Sequence, residues 1–243
     1  MRKFGLLGKN IDYSFSRGYF TEKFSKEKLT DHTYVNFDHD TLSGFLKQLT
    51  QETDLVGFNI TIPYKQEIIP HLHSLSPQAE KIGAVNTVKI TPEGLQGHNT
   101  DAFGFEQALL PLLQEHHKKA LILGTGGASK AVAYVFEQLG IKYTYVSRTA
   151  QDNGLTYAAL DQAIIDTHPI IVNCTPLGTF PNIDNKPDLP YGAIGRKHLL
   201  YDLIYNPEKT SFLRQGEQNG AQIRNGLPML IGQAEKAWEI WNS

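Results

Sequence analysis

Ala120-Leu121-Ile122-Leu123-Gly124-Thr125-Gly126-Gly127-Ala128 reads as a buried apolar strand running into a glycine turn, with a helix over Ser129 to Leu139 behind it. The turn needs glycine because the backbone must bend tightly and let a pyrophosphate come close. The start of the helix presents N–H groups and a partial positive charge to that anion. Gly124, Gly126, Gly127 and Ala128 are therefore candidate phosphate-binding residues. The third fingerprint position holds Ser129, so the glycine pattern is incomplete and gains its force from the strand–turn–helix setting. A plain strand–helix turn is the alternative reading.

The next strand, Lys142 to Val146, ends in Ser147-Arg148-Thr149. A nucleotide without a 2′-phosphate is usually met there by an Asp or Glu on its ribose; a 2′-phosphate is met by an Arg. Arg148 can make a bidentate, charge-assisted contact, and Ser147 and Thr149 add hydroxyls. The expected cofactor is NADP, preferred over NAD by about tenfold or more, the scale of one good charged contact. Further strands are read at Ile170 to Cys174, Leu199 to Leu203 and Ala221 to Arg224, and a last helix at Leu227 to Trp241.

Upstream, Phe4 to Gly8, Thr33 to Phe37 and Leu55 to Ile60 read as strands, with helices over Ser16 to Leu29 and Thr41 to Thr50. Ala84 to Ile90 and Leu95 to His98 form a hairpin around Thr91-Pro92-Glu93-Gly94. A helix follows from Asp101 to about Glu115, with Pro111 inside it to kink it or end it early. His116-His117-Lys118-Lys119 reads as a solvated connector. The whole is α/β with two domains: residues 1–101 plus 226–243 hold the substrate, and 102–225 form a Rossmann-type NADP-binding domain. A cleft between them is expected to bring nicotinamide and substrate together.

The composition excludes several classes. The 23 basic and 25 acidic residues give a net charge of −2, which argues against a nucleic-acid binder. Cys174 is the one cysteine, so no internal disulfide forms, as suits a reducing compartment. No apolar run approaches the ~20 residues of a membrane span, and the opening apolar run is short for a signal peptide. A cytoplasmic location and a monomer or homodimer are expected. His71 and His73 lack Cys or carboxylate partners at ligand spacing, so no metal is assigned. Cys174 reads as a small buried residue and not a nucleophile, because no base accompanies it.

Three compact polar motifs stand in the first half: Asn59-Ile60-Thr61-Ile62-Pro63-Tyr64-Lys65 after Gly57, Gly83-Ala84-Val85-Asn86-Thr87, and Gly97-His98-Asn99-Thr100-Asp101-Ala102-Phe103-Gly104. Later come Asn173-Cys174-Thr175-Pro176-Leu177-Gly178, Asp202-Leu203-Ile204-Tyr205-Asn206-Pro207 and Asn225-Gly226-Leu227-Pro228-Met229-Leu230, then Gln233-Ala234. In this order, around the glycine turn, they resemble the shikimate dehydrogenase family over nearly the whole chain. The resemblance implies reversible, NADP-dependent reduction of 3-dehydroshikimate to shikimate. It implies Lys65 and Asp101 as the catalytic pair. Ser14 and Ser16 would take the substrate carboxylate, and Thr61, Asn86, Gln233 and, more loosely, Tyr205 the substrate hydroxyls. Thr175 would join the cofactor site, with Gly226 and Met229 where the chain returns toward the nicotinamide.

The family's usual His-Ser-x-Ser-Pro run is here Tyr13-Ser14-Phe15-Ser16-Arg17, and its asparagine before Arg-Thr is Ser147. Hydride reduction of a ketone leaves an alkoxide that needs a proton; a lysine ammonium oriented by a carboxylate can give it. Each residue also has a plainer reading. Lys65 suits a surface position after a proline-started helix, and Asp101, Ser14 and Ser16 suit helix caps. Asn59 and Asn86 suit satisfied turns. A quinate or dual quinate/shikimate dehydrogenase, a folate-linked dehydrogenase on a related frame, and a non-catalytic metabolite sensor are the rival functions.

Overall fold

The structure, a computed structural model, describes residues 1–12, 14–149 and 154–243. Tyr13, one of the departures from the family pattern, lies outside the described residues. The chain forms two compact units, Met1–Thr100 with Ala234–Ser243, and Asp101–Gln233. The division falls inside the last helix rather than ahead of it.

The first unit carries β1 (Arg2–Gly8), α1 (Phe15–Lys26), β2 (His32–Asp38), α2 (Leu42–Leu49), β3 (Leu55–Ile60), β4 (Ser74–Leu75), α3 (Pro77–Ile82), β5 (Thr87–Thr91) and β6 (Gly94–His98). They give one sheet in the order β2-β1-β3-β5-β6-β4. β1 runs parallel to β2 and β3, and β5 and β6 pair antiparallel through the expected hairpin. Gly94 turns that hairpin at φ +131°, a conformation that a side chain resists. α1 buries Ser16, Phe20 and Phe24, spaced one turn apart, among Phe4, Tyr34 and Trp241. α2 buries Leu42 and Phe45 on the opposite face of the sheet, with Leu46 and Leu49 packed beside them. The Trp241 indole donates to Val88 O (2.9 Å) and lies where a side chain on Gly57 would stand, so that glycine admits the ring. β5 starts at Thr87, later than expected, because Val85 N donates to Lys65 O instead of joining the ladder.

The second unit carries α4 (Asp101–Leu109), β7 (Lys119–Leu123), α5 (Gly127–Gln138), β8 (Lys142–Ser147), β9 (Leu155–Thr156), α6 (Gln162–Thr167), β10 (Ile170–Asn173), β11 (Leu199–Asp202), α7 (Ser211–Gln218) and β12 (Gln222–Arg224). The last helix, α8 (Leu227–Asn242), begins in this unit and ends in the first. The sheet order is β12-β11-β10-β7-β8-β9, every pair parallel. This is a doubly wound, Rossmann-type sheet whose strand order reverses between β7 and β10. Leu121, Leu123, Val146, Ile171 and Leu200 fill its core.

One open reading is decided here and one expectation fails. α4 stops at Leu109 and continues only as a 3₁₀ turn over Leu110–Leu112, because Pro111 cannot donate a helical hydrogen bond. The His116–Lys119 stretch is not a solvated connector throughout. His117 is only 4% exposed, its Nδ1 accepts from Gln114 N (3.1 Å), and burial pushes its pKa down. Close helix packing explains a motif glycine. A side chain on Gly104 would run into Met229 O and stand 2.8 Å from Gln233 N, so its absence lets α4 and the start of α8 meet backbone to backbone.

Candidate active site

In the first unit the parallel strands β1 and β3 end on the same side as the start of β5, and the polar motifs gather there. Ligands of open α/β sheets settle outside such carboxyl ends. A buried chain of hydrogen bonds joins them. Tyr34 OH donates to Asn59 Oδ1 (2.8 Å), and Asn59 Nδ2 donates to Thr87 Oγ1 (3.0 Å). Thr87 and Thr100 share a hydroxyl bond (3.1 Å). Asn86 Nδ2 donates to Thr100 Oγ1 (3.0 Å), and Asn86 Oδ1 accepts from Thr100 N (2.6 Å). These groups are all buried, and a buried polar network specifies a single arrangement only when its members are paired. The plainer reading of Asn59 as a structural residue is thus correct as far as its contacts go, and Asn86 is held firmly by Thr100.

Thr61 follows β3 and donates its backbone N–H to Leu7 O (2.8 Å). Lys65 lies in a run of turns and not in a helix, half-buried between fully buried Tyr64 and Ile68. Tyr64 OH anchors the run on His39 O (2.7 Å), and Lys65 O accepts from Val85 N next to Asn86 (2.8 Å). Ser14 caps α1, its side chain accepting from Ser16 N (3.2 Å). Ser16 is buried, and its hydroxyl meets that of Tyr34. Asp38 holds the loop before the serines through Asn10 N (2.8 Å) and Ile11 N (3.0 Å). Asp38 and Tyr34 were missed in the sequence, since an acid at a strand end looks like an ordinary surface residue and a tyrosine within a strand like ordinary core. Arg17 is exposed on α1 and bonds Asp12 O (3.4 Å). His98 has a buried Nε2, and burial with Lys89 and Lys236 nearby holds its pKa down.

In the second unit Asp101, 6% exposed, opens α4, and buried Gln233 lies on α8 where it passes Gly104. The glycine turn has the shape that a dinucleotide needs. Gly124 sits at φ +98° and donates to Val146 O (2.8 Å). Gly126 precedes α5 with no side-chain cap, and the space where its side chain would stand is open. The first N–H groups of a helix have no partner within it, so those of Gly127 and Ala128 at the start of α5 suit an anion. Ser129 is fully buried and its hydroxyl bonds Gly126 O (2.7 Å), so the small serine does the packing of the missing third glycine. Ser147 ends β8 with its hydroxyl on Thr149 O, and Arg148 and Thr149 are exposed beyond it. A cationic, hydroxyl-rich strand end fits a phosphorylated ribose.

One other loop touches this turn, and two further motif segments follow β11 and open α8. Thr175 lies against Gly124, its methyl 3.1 Å from where a side chain would begin. Its N–H and Oγ1 both donate to Asn173 Oδ1 (3.0 and 2.6 Å). Gly226 donates to Ile204 O (2.9 Å), and a side chain there would collide with Leu203 O. Met229 is buried on α8 and Tyr205 half-buried after β11. Burial pushes the Cys174 thiol up, which disarms it as a nucleophile. Among the described residues no group of three or more His, Cys, Asp or Glu could hold a metal ion, and no helix is long and apolar enough to cross a membrane.

Comparison with known proteins places this arrangement. The shikimate dehydrogenase substrate binding domain matches residues 6–88. A shikimate dehydrogenase (NADP(+)) of Caldicellulosiruptor saccharolyticus is 36% identical over 99% of this chain and 92% of its own length. The chain belongs to the shikimate dehydrogenase family. The fold agrees with family members of known structure. Shikimate dehydrogenase 1 from Peptoclostridium difficile superposes with a TM-score of 0.83 at 36% identity, covering all of this chain and 92% of the other. The shikimate 5-dehydrogenase of Thermus thermophilus, solved with NADP(H) and shikimate, gives 0.87 at 31% identity, covering 99% and 93%. Family membership accounts for the motif order, which neither unit's packing requires alone.

Proposed function

We propose that this chain is an NADP-dependent shikimate dehydrogenase, reducing 3-dehydroshikimate to shikimate reversibly. One observation carries the reading: the kinship to shikimate dehydrogenase (NADP(+)) extends along 99% of the chain, through both units. NADPH, when bound, supplies the hydride in reduction. Gly124, Gly126, Gly127 and Ala128 would hold its pyrophosphate, and Ser147, Arg148 and Thr149 its 2′-phosphate, with Thr175, Gly226 and Met229 nearer the nicotinamide. Ser14 and Ser16 bind the substrate carboxylate, and Thr61, Asn86, Tyr205 and Gln233 its hydroxyls. Lys65 gives its Nζ proton to the oxygen of the reduced carbonyl and takes it back in oxidation, and Asp101 keeps that ammonium charged and oriented. The Asn86 network supports this chemistry, because its fixed amide presents the same face to substrate at every turnover.

The labour divides along the chain, residues 1–101 and 226–243 mainly toward substrate and 102–225 mainly toward cofactor. A cytoplasmic enzyme working as monomer or homodimer on small molecules, without nucleic acid, completes the proposal. The test is NADPH formation from shikimate and NADP by the purified protein, repeated with quinate and with NAD. Rapid turnover with shikimate and NADP alone is expected. Faster turnover with quinate would make the enzyme a quinate dehydrogenase, and none with either acid would leave the sensor reading.

A further inference from the structure

The second unit buries one carboxylate that the proposed chemistry does not use. Asp202 ends β11, next to the switch in strand order, and is fully buried. No ion pair reaches it among the described residues; its partners are neutral donors. Asp202 Oδ1 accepts from Asn173 Nδ2 (3.1 Å) and Ile204 N (3.1 Å), and Oδ2 accepts from Thr210 Oγ1 (2.6 Å). Such a charge is costly to bury, so its retention at one place calls for a specific task.

The bonds beyond Asp202 have a direction. Because Asn173 Nδ2 points at the carboxylate, its Oδ1 is turned the other way, onto Thr175 N and Thr175 Oγ1. Thr175 Oγ1 in turn accepts from Leu177 N (3.2 Å), closing the turn that lies against Gly124. On its other side Asp202 fixes Ile204, whose carbonyl accepts from Gly226 N (2.9 Å). Thr210 adds α7, since it caps that helix through Leu213 N (3.3 Å). Together with Leu177 O, which also accepts from Asn173 Nδ2 (3.3 Å), Asp202 thus sets the amide orientation of Asn173, and it ties down two loops, of which the Thr175 turn lies against the glycine turn.

We propose that Asp202 is a positioning residue for the dinucleotide, acting through Asn173 on the Thr175 turn and through Ile204 on the Gly226 turn. It deepens the proposed function and rests on that reading for the identity of the nucleotide. The experiment is calorimetric titration of NADP into the full chain without shikimate, joined to steady-state kinetics. Asp202→Ala is expected to raise the NADP Kd and KM at least about tenfold while the shikimate KM and kcat stay within about threefold. Asp202→Asn, whose amide oxygen still accepts from Asn173 and Ile204, is expected to restore NADP binding to within about threefold of wild type. A merely structural residue would lower the melting temperature and the active fraction without that selective change. If Asp202→Ala does not fold, Asn173→Ser breaks the same relay and leaves the carboxylate its other two bonds; the same selective loss is expected. An unchanged NADP Kd in a folded Asp202→Ala or Asn173→Ser protein overturns the proposal, as does an equal rise in the shikimate KM. Wild-type protein that binds NADP but does not oxidise shikimate would instead sink the functional reading, and the titration would still decide the role of Asp202.

Discussion

Each unit spends buried polar groups at the carboxyl ends of its strands, but the two networks differ in kind. The first runs Tyr34–Asn59–Thr87–Thr100–Asn86 through hydroxyls and amides. The second converges on the Asp202 carboxylate. Hydroxyls and amides pair donor to acceptor without a net charge, so burial costs them little once bonded. A carboxylate accepts only, so it draws every donor toward itself, and burial pushes its pKa up to about 7 despite the three bonds that oppose the rise. The first design fixes a surface with bonds between neutral groups. The second ties loop geometry to a group that titrates near neutrality.

The largest expected break in this comparison lies outside both networks. Lys65→Ala should cut turnover by about 10²–10⁴-fold at saturating shikimate and leave the NADP Kd unchanged. Turnover near wild type would remove Lys65 from the chemistry. Next, Arg148→Ala should weaken NADP by at least about tenfold, a lost contact of ~1.5–3 kcal/mol, and leave NAD untouched. Equal losses with both nucleotides would mean that Arg148 does not meet the 2′-phosphate. Gly104→Ala should cost about 1–3 kcal/mol in denaturant unfolding, because the new methyl overpacks the α4–α8 contact.

The smallest effect sharpens the contrast most. Asp202 has a folded pKa above its unfolded value, so between them the folded protein holds more protons than the unfolded chain. Its burial therefore weakens the fold as pH rises from about 4 to about 7, and no further above that. Asp202→Asn should gain in melting temperature relative to wild type over that window, whereas Asn86→Ala should lose stability by a pH-independent amount. A constant Asp202→Asn difference from about pH 4 to pH 8 would show that the carboxylate keeps one charge state throughout.

The alternation of apolar runs and helical stripes was enough to read two α/β halves and a doubly wound nucleotide sheet, because strand and helix periods are local properties. The glycine turn was legible for the same reason: only glycine holds Gly124 at φ +98°. The elements β4, β9, α6 and α7 were not, and the two residues of β4 or β9 carry no period at all. Arg148 could be proposed as a phosphate contact from the sequence because strand-end chemistry there is set by one position. Asp202 was quoted inside a motif with no task assigned, as its partners are separated from it by 29 and 8 residues and come together only in the folded sheet.

The sequence by itself thus determined the architecture, the family and the residue types that the chemistry needs, all of them written in neighbouring positions. Tertiary structure alone decided that Pro111 ends α4 instead of kinking it, that His117 is inside and that the Ser129 hydroxyl closes on Gly126 O. It also decided that two networks of opposite electrostatic character hold the loops. Burial and hydrogen-bond partnership depend on what the rest of the chain brings alongside, and no local pattern encodes that.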